Sequence, residues 1–428
     1  MVTDRLGLLR LYLEKAGAAP LPPSDIPEER APDLPTATSS SAAREIARVP
    51  IDPFPEGPGL FRFFVDGVQR TVPVAEVIVN NVRVPIHLSH LIVGAMERTG
   101  RDLKPFKAQE ALVLLFPYQA LQAADPAWSG RRPPGRELSS SGRIYEAVKS
   151  GDLLYSDTSI ALQLGPGGRP SILLQAGDLI RTGEVRQKAL NRAKELLRIM
   201  EVGILWDLRQ KYPNDWILLD GPIAPPLKYG RLVEPALQGV EEIARPDIAF
   251  DFLHRIVGAV KRVQIVPIGG LEVALSPGPS LVLPIYRFGE VIEEDDAVAK
   301  EILSAFFWLR RELAGEISAL WSTVSGLVRL DIPIPAVFDD IGMRNAWNTL
   351  DEETLVTRLA DLSSTERQRL EELLRAIVTE RWPVPASTVS RMLTELFPIA
   401  ETELWLSSQL SSVYEMRSVL SLNVTVSL

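Results

Sequence analysis

Trp216-Ile217-Leu218-Leu219-Asp220-Gly221 is an apolar strand that ends on an aspartate, and it directly follows a long stretch of helical periodicity. A second segment of the same form, Arg62-Phe63-Phe64-Val65-Asp66-Gly67, stands on the other side of that stretch. The helical residues, 178–211, repeat apolar side chains at Ala189, Ala193, Leu196, Leu197, Met200, Ile204, Leu205 and Leu208, the spacing of one buried helix face. Glu201 sits at the border of that stripe, where a carboxylate needs a partner such as a metal ion. Acids at the ends of two strands and on the helix between them are the donor set of a two-metal nuclease site. Their oxygens suit Mg²⁺ or Mn²⁺, and rigid elements hold the ions at a fixed separation.

Each acid has a plainer alternative. Asp-Gly is the commonest short hairpin signal, because glycine tolerates positive φ and aspartate bonds its own backbone. For Asp66, which precedes another apolar segment, the turn remains open. Asp220 is followed by Gly221-Pro222-Ile223-Ala224-Pro225-Pro226, which does not start a paired strand cleanly. Glu201 competes with Glu184, Glu195 and Asp207 on the same helix, and Glu195 is the second choice. Lys261, in Val257-Gly258-Ala259-Val260-Lys261-Arg262, ends an apolar strand. It is a surface lysine or a cation that neutralises a scissile phosphate or orients a water. Lys228, Tyr229 and Arg231, after the proline-rich turn, are weaker candidates for DNA-backbone contacts.

Outward from these segments, residues 3–16 read as an amphipathic helix, and about 17–58 turn to Pro, Ala, Ser and Glu, an extended arm or tether. The expected division is therefore 1–58, helix and Pro/Ser-rich arm, and 59–428, the globular part. FRFFVDGV, TVPVAEVIVNNV and VPIHLSHLIVGAM read as three consecutive strands. Residues 117–142 read as an inserted, mobile loop, and a hairpin follows around 158–176 with Gly165-Pro166-Gly167-Gly168 as its turn. Beyond WILLDG come a further strand or helix-to-strand junction near 255–266, LVLPIYRFGEVI, a helix AKEILSAFFWLRRELAG and the strand SGLVRLDIPIP. The last third reads as helical over 351–380 and 385–396, with an alternating terminal strand SVLSLNVTVSL. Three meandering strands, a helix and a fourth strand, with acids on the first strand, the helix and the fourth strand, are the RNase H-like order. That is an α/β fold, a mixed sheet flanked by helices, in which the fourth strand lies beside the first and brings Asp66 to Asp220.

At 428 residues, with 46% hydrophobic and 24% charged residues, the composition is that of a globular protein with more than one lobe. No apolar run is long enough to span a bilayer and no signal-peptide core is visible, so a cytoplasmic location is expected. The chain has no cysteine and only three histidines, His87, His90 and His254, which excludes thiolate chemistry and leaves little for histidine catalysis. A net charge of −9 argues against coating nucleic acid by bulk electrostatics. Neither a Walker A pattern nor a Gly-x-Ser-x-Gly elbow is present.

In order and spacing, FFVDG, the helix RIMEVGILWDL, WILLDGPI and VGAVKR resemble the NurA nucleases, and LVRLDIP, with Arg329 and Asp331, is similar to the segment that follows. The resemblance spans about 60 to 395. It implies an RNase H-like, generally dimeric DNA nuclease that works with the HerA hexameric ATPase in DNA end resection or phage defence. It also implies Asp66, Glu201 and Asp220 as metal ligands and Mn²⁺ as the usual ion. Two positions depart from the family: Val68 replaces the serine after Asp-Gly, and a C-terminal Tyr-Pro-x-Pro stretch followed by a histidine becomes Trp382-Pro383-Val384-Pro385 with Ser390. Glu395, on the same expected helix, is a candidate to compensate.

The expected function is a metal-dependent DNA nuclease with Asp66, Glu201, Asp220 and Lys261 in its site, Mn²⁺ or Mg²⁺ bound, and a HerA-like hexameric ATPase and a second copy of the chain as partners. The N-terminal helix and arm or the terminal strand would dock one of these. The rival is a catalytically silent scaffold that regulates the ATPase ring; the lost histidine supports it and the retained acids oppose it. An Argonaute-like guide-binding module would need a fourth acid and a basic pocket, and the net charge opposes it.

Overall fold

The computed structural model describes residues 2–20, 38–40, 43–51, 59–131, 133–138, 144–164, 170–234, 237, 245–267, 281–289, 291–292, 297–309, 327–338, 340–381 and 394–421. Its helices include α1 (Val2–Lys15), α2 (Thr182–Lys211), α3 (Ala224–Val233), α4 (Pro246–Leu253), α5 (Glu352–Ala360), α6 (Ser364–Thr379), α7 (Phe397–Ser407) and α8 (Val413–Ser421). The strands that organise it are β1 (Ala43–Ile51), β2 (Phe61–Val79), β3 (Val82–Thr99), β4 (Asp102–Phe116), β5 (Leu154–Asp157), β6 (Trp216–Asp220), β7 (Ile256–Val260), β8 (Leu281–Phe288), β9 (Ile302–Trp308) and β10 (Leu327–Pro333).

These strands form one mixed sheet in the order β1-β8-β9-β10-β7-β6-β2-β3-β4-β5. β2, β3 and β4 run antiparallel to one another, and β5 lies parallel to β4. β6 then lies parallel to β2, with Leu219 opposite Val65, and β7 lies parallel to β6. Beyond β7 the sheet reverts to antiparallel pairing through β10, β9, β8 and β1. The strand that carries WILLDG, β6, therefore sits beside the one that carries FRFFVDG, β2, as the order of apolar runs suggests.

Covering both faces explains the long apolar runs of the central strands. On one face Ala193, Leu196, Met200 and Ile204 of α2 share a core with Phe63, Val65, Leu219 and Val257. A second core gathers Leu9 and Leu13 of α1, Val72 and Val77 of β2, Leu88 of β3, and Leu121, Trp128 and Met416. Helix α1 is thus built into the chain's own interior, with Leu8 and Leu11 left exposed.

Several expectations change. FRFFVDGV and TVPVAEVIVNNV are one strand, β2, with a register shift next to Pro73, because a bulge is where a strand interior tolerates proline. Asp66-Gly67 is no turn: Asp66 pairs with Gly94 and Gly67 with Val93 inside the β2–β3 ladder. The turn is Asn80-Asn81, both at positive φ (49° and 63°), the conformation of a two-residue primed hairpin that asparagine accepts. Where a mobile loop is expected at 117–142, the described residues hold a helix, Tyr118–Ala124, and a 3-10 turn, Pro126–Gly130, that buries Trp128. The stretch ILSAFFW, expected as helix, is strand β9 between β8 and β10, since its β-branched and aromatic side chains fit a doubly covered strand.

Residues 418–421, expected in a terminal strand, end helix α8, and 422–428 lie outside the described residues. The tether expected up to residue 58 contributes strand β1 to the sheet edge, and Ala19–Pro20 pair with β2. The proline-rich 21–37 and 52–58 lie outside the described residues, as do the turn 165–169 and the stretch 382–393 with Ser390. The strands that flank the turn, Ile160–Leu164 and Pro170–Ile172, pair antiparallel.

Candidate functional site

Because β6 follows β2 in parallel register, Asp220 ends one strand beside Asp66 on the next. Asp66 is 5% exposed. Its Oδ1 accepts a hydrogen bond from the Gly67 amide at 2.7 Å, and its buried Oδ2 accepts none. Burial, then the charge of Asp220, hold its carboxyl well above the usual range, with Lys261 acting in the opposite direction.

Helix α2 brings Glu201, 2% exposed, down onto this pair. The approach depends on Gly67, where a Cβ would meet Glu201 Oε1 at 2.6 Å and Leu197 Cγ at 3.1 Å. Burial raises the Glu201 carboxyl against the pull of Arg198, whose Nη1 donates to Glu201 Oε2 at 2.7 Å. Arg198 also leans over Gly221, where a Cβ would lie 3.1 Å from Nη1. Burial lowers its guanidinium, and Glu201, Asp220 and Asp66 together outweigh that and raise it.

Lys261, the residue after β7, completes the group. Its ammonium lies 2.8 Å from Asp220 Oδ2, 2.7 Å from Glu395 Oε1 and 3.9 Å from Glu403 Oε2. Burial alone lowers the ammonium, but Asp220, Glu395, Asp66 and Glu403 raise it above its ordinary value. A plain surface lysine is therefore not what the structure shows. Beneath the strand ends, Arg329 and Asp331 are both 0% exposed and doubly hydrogen-bonded, Nε to Oδ1 at 2.7 Å and Nη2 to Oδ2 at 3.2 Å. Asp331 Oδ2 also accepts from the amide of Ile223 at 3.3 Å, which ties down the loop after Asp220.

The structure thus gathers Asp66, Glu201, Asp220 and Lys261. It adds Arg198 and Glu403, which the sequence reading passed over, and places Glu395 beside Lys261. Arg198 was legible as a basic residue three positions before Glu201 on one helix face. Glu403 lies on α7, more than 180 residues downstream of Asp220, and nothing local announces it. Glu195, the second choice, pairs with Arg192 at 3.1 Å and lies near Lys228. Lys228 stacks on Tyr229 at 5.2 Å in α3. The histidines serve elsewhere: His90 Nδ1 accepts from the Ser411 amide at 3.0 Å, His254 stacks on Phe250, and His87 is buried in β3.

As donors for Mg²⁺ or Mn²⁺, the carboxylates have the right chemistry, and the Oδ2 of Asp66 is a buried oxygen with no hydrogen bond. Five acids face two bases in this cluster, an excess of negative charge that burial penalises unless protons or cations neutralise it. Among the described residues, no group of three or more His, Asp or Glu side chains is set so as to hold a metal ion as it stands. Arg198 and Lys261 lie between the acids instead.

No family model matches the chain, and no curated protein does. Among solved structures it is similar to the crystal structure of the NurA nuclease from Sulfolobus solfataricus, at 9% identity and a TM-score of 0.30, covering 85% of this chain and 83% of that one. Among the described residues no helix is long and apolar enough to cross a membrane.

Proposed function

We propose that this chain is a metal-dependent DNA nuclease of the NurA type. The observation that carries the reading is the meeting of buried Asp66 and half-buried Asp220 on parallel neighbouring strands, with one Asp66 oxygen accepting no hydrogen bond. Support comes from the strand order β4-β3-β2-β6-β7, three antiparallel strands followed by two parallel ones, which is that expected of an RNase H-like sheet. The sequence segments around Asp66, Glu201, Asp220 and Lys261 resemble the same family.

In this reading Asp66, Asp220 and Glu201 hold Mn²⁺ or Mg²⁺. Held there, the ions would supply an activated water and stabilisation of the leaving oxygen in phosphodiester hydrolysis. Lys261 places a fixed positive charge toward the scissile phosphate from the end of β7. Arg198 neutralises Glu201, a contact with which ions bound to the acids would compete. Gly67 lets Glu201 approach, and the Asp331–Ile223 hydrogen bond fixes the loop behind Asp220. Translocation along DNA falls to a HerA-like hexameric ATPase, and the chain works as a homodimer in the cytoplasm.

The pairing of Arg198 with Glu201 and of Lys261 with Asp220 favours a second reading, a silent scaffold in which bases replace ions permanently. Cleavage of linear single- and double-stranded DNA separates the two, measured with Mn²⁺, Mg²⁺ or EDTA and with the ATPase present or absent. The nuclease reading expects metal-dependent cleavage that Asp220→Ala abolishes. A folded wild type that cuts under none of these conditions establishes the scaffold.

A further inference from the structure

Basic side chains gather at the end of the sheet opposite the acids. Arg255 precedes β7, whose other end leads to Lys261, and its guanidinium lies 5.8 Å over the ring of Trp216, where β6 begins. His254, just before it, caps α4 and stacks on Phe250. From α6, Arg369 Nη1 donates to His254 Nε2 at 3.4 Å, since a guanidinium can only donate. Arg209 of α2 lies behind them, 6% exposed, and donates to the carbonyls of Phe252, Pro213 and Asp251 at 3.2, 2.7 and 2.9 Å. His254, Arg255 and Arg369 are only half-buried.

These charges act on one another. Burial, then Arg255, lowers Arg209 to about 10, and burial, then Arg369, Arg255 and Arg209, lowers His254 to about 4. Arg369 is lowered in the same way by burial and Arg255. The acids that pull in the other direction are Asp251, Asp215 and Glu372, and each is engaged elsewhere. Asp251 holds Arg344, Asp215 pairs with Arg62 at 2.8 Å, and Glu372 accepts from Gln368 at 2.7 Å. Tying down the ends of α2 and α4 accounts for Arg209. It does not account for Arg255 and Arg369 converging on one imidazole, where like charges are unfavourable unless an anion joins them.

We infer that Arg255, Arg369 and His254 form a binding site for a phosphate group, free or in an ester. The planar guanidinium fork matches two phosphate oxygens at once, and Arg209 supplies a fixed charge behind it. A bound phosphate draws Arg369 from His254 Nε2, and the imidazole then takes up a proton and donates to the anion. The site is separate from the cluster around Asp66 and Asp220 and goes beyond the nuclease reading, holding for a silent scaffold as well.

Histidine ring signals in nuclear magnetic resonance test this on the full chain, because His87, His90 and His254 are its three histidines and His254→Gln assigns the third. Inorganic phosphate should shift the His254 signal saturably and raise its titration midpoint by about one pH unit or more, the effect of an opposite charge at close range. Chloride at equal ionic strength should not, and the His87 and His90 signals, which report the fold, should stay in place. Arg255→Met and Arg369→Met should each weaken phosphate binding by about ten-fold or more, the loss of one charge-assisted hydrogen bond. A dinucleotide titrated in parallel distinguishes the sources: a shift with it alone assigns an ester, a shift with phosphate assigns the free anion. No shift with either, or an equal shift with chloride, overturns the inference even if neither arginine variant folds. Undiminished phosphate binding in both folded variants overturns it too.

Discussion

Gly67 has no room for a side chain, because Glu201 Oε1 lies 2.6 Å from where its Cβ would stand. Gly67→Ala keeps the strand but pushes the Glu201 carboxylate aside. If Glu201 serves the proposed nuclease site, misplacing it is costly, and metal-dependent cleavage should fall roughly 10–100-fold while the melting temperature moves little. Parallel activity and melting assays check this. His87 bears on stability instead. It is 1% exposed, neither ring nitrogen has a hydrogen-bond partner, and burial, then Arg186, lower it to about 4. A histidine whose folded value lies below its unfolded one contributes stability above about pH 6.5 and loses it as the pH falls toward 4, a loss on the order of 3 kcal/mol from one such group. Asp66 and Glu201, raised by burial, act with the opposite sign, keeping protons longer in the native state. Denaturant melts at pH 7.5 and 4.5 should therefore show a smaller acid loss in His87→Leu than in wild type.

Among the elements, β10 matters most for what it places under the site. Asp331 is enclosed by Arg329, Ser304 and the Ile223 amide. Asp331→Ala leaves the Arg329 guanidinium buried against no carboxylate at that position, a change that costs about 3–5 kcal/mol, and it frees the loop after Asp220. Arg329→Met with Asp331→Leu should restore most of the stability but not the activity, which denaturant melts and cleavage rates separate. The elements that carry the acids were legible because each shows its period locally: the apolar runs before Asp66 and Asp220, and the stripe on α2. β9 was misread because a short apolar run with bulky aromatics has no period that separates strand from helix. The hairpin turn was misplaced because Asp66-Gly67 carries the stronger turn signal, whereas Asn80-Asn81 makes the turn.

At the scale of the molecule, the pairing of β6 with β2 is the long-range fact on which everything depends, and it followed from the order of elements, not from any one segment. What was not legible came from far along the chain. Glu403 and the seating of Glu395 depend on how α6 and α7 pack, and residues 382–393 between them, with Ser390, lie outside the described part. Residues 17–58 were read as an arm or tether, yet β1 lies at the sheet edge, while the expected N-terminal helix, α1, contributes to the second core. Deleting residues 1–58 therefore removes part of the fold along with any docking surface.

Anomalous diffraction from a crystal soaked in Mn²⁺ tests the central claim most directly. The account predicts a manganese peak beside Asp66 and Asp220, with the Arg198 guanidinium withdrawn from Glu201. A well-ordered crystal with no peak there, and with Arg198 and Lys261 still seated among the acids, would contradict it.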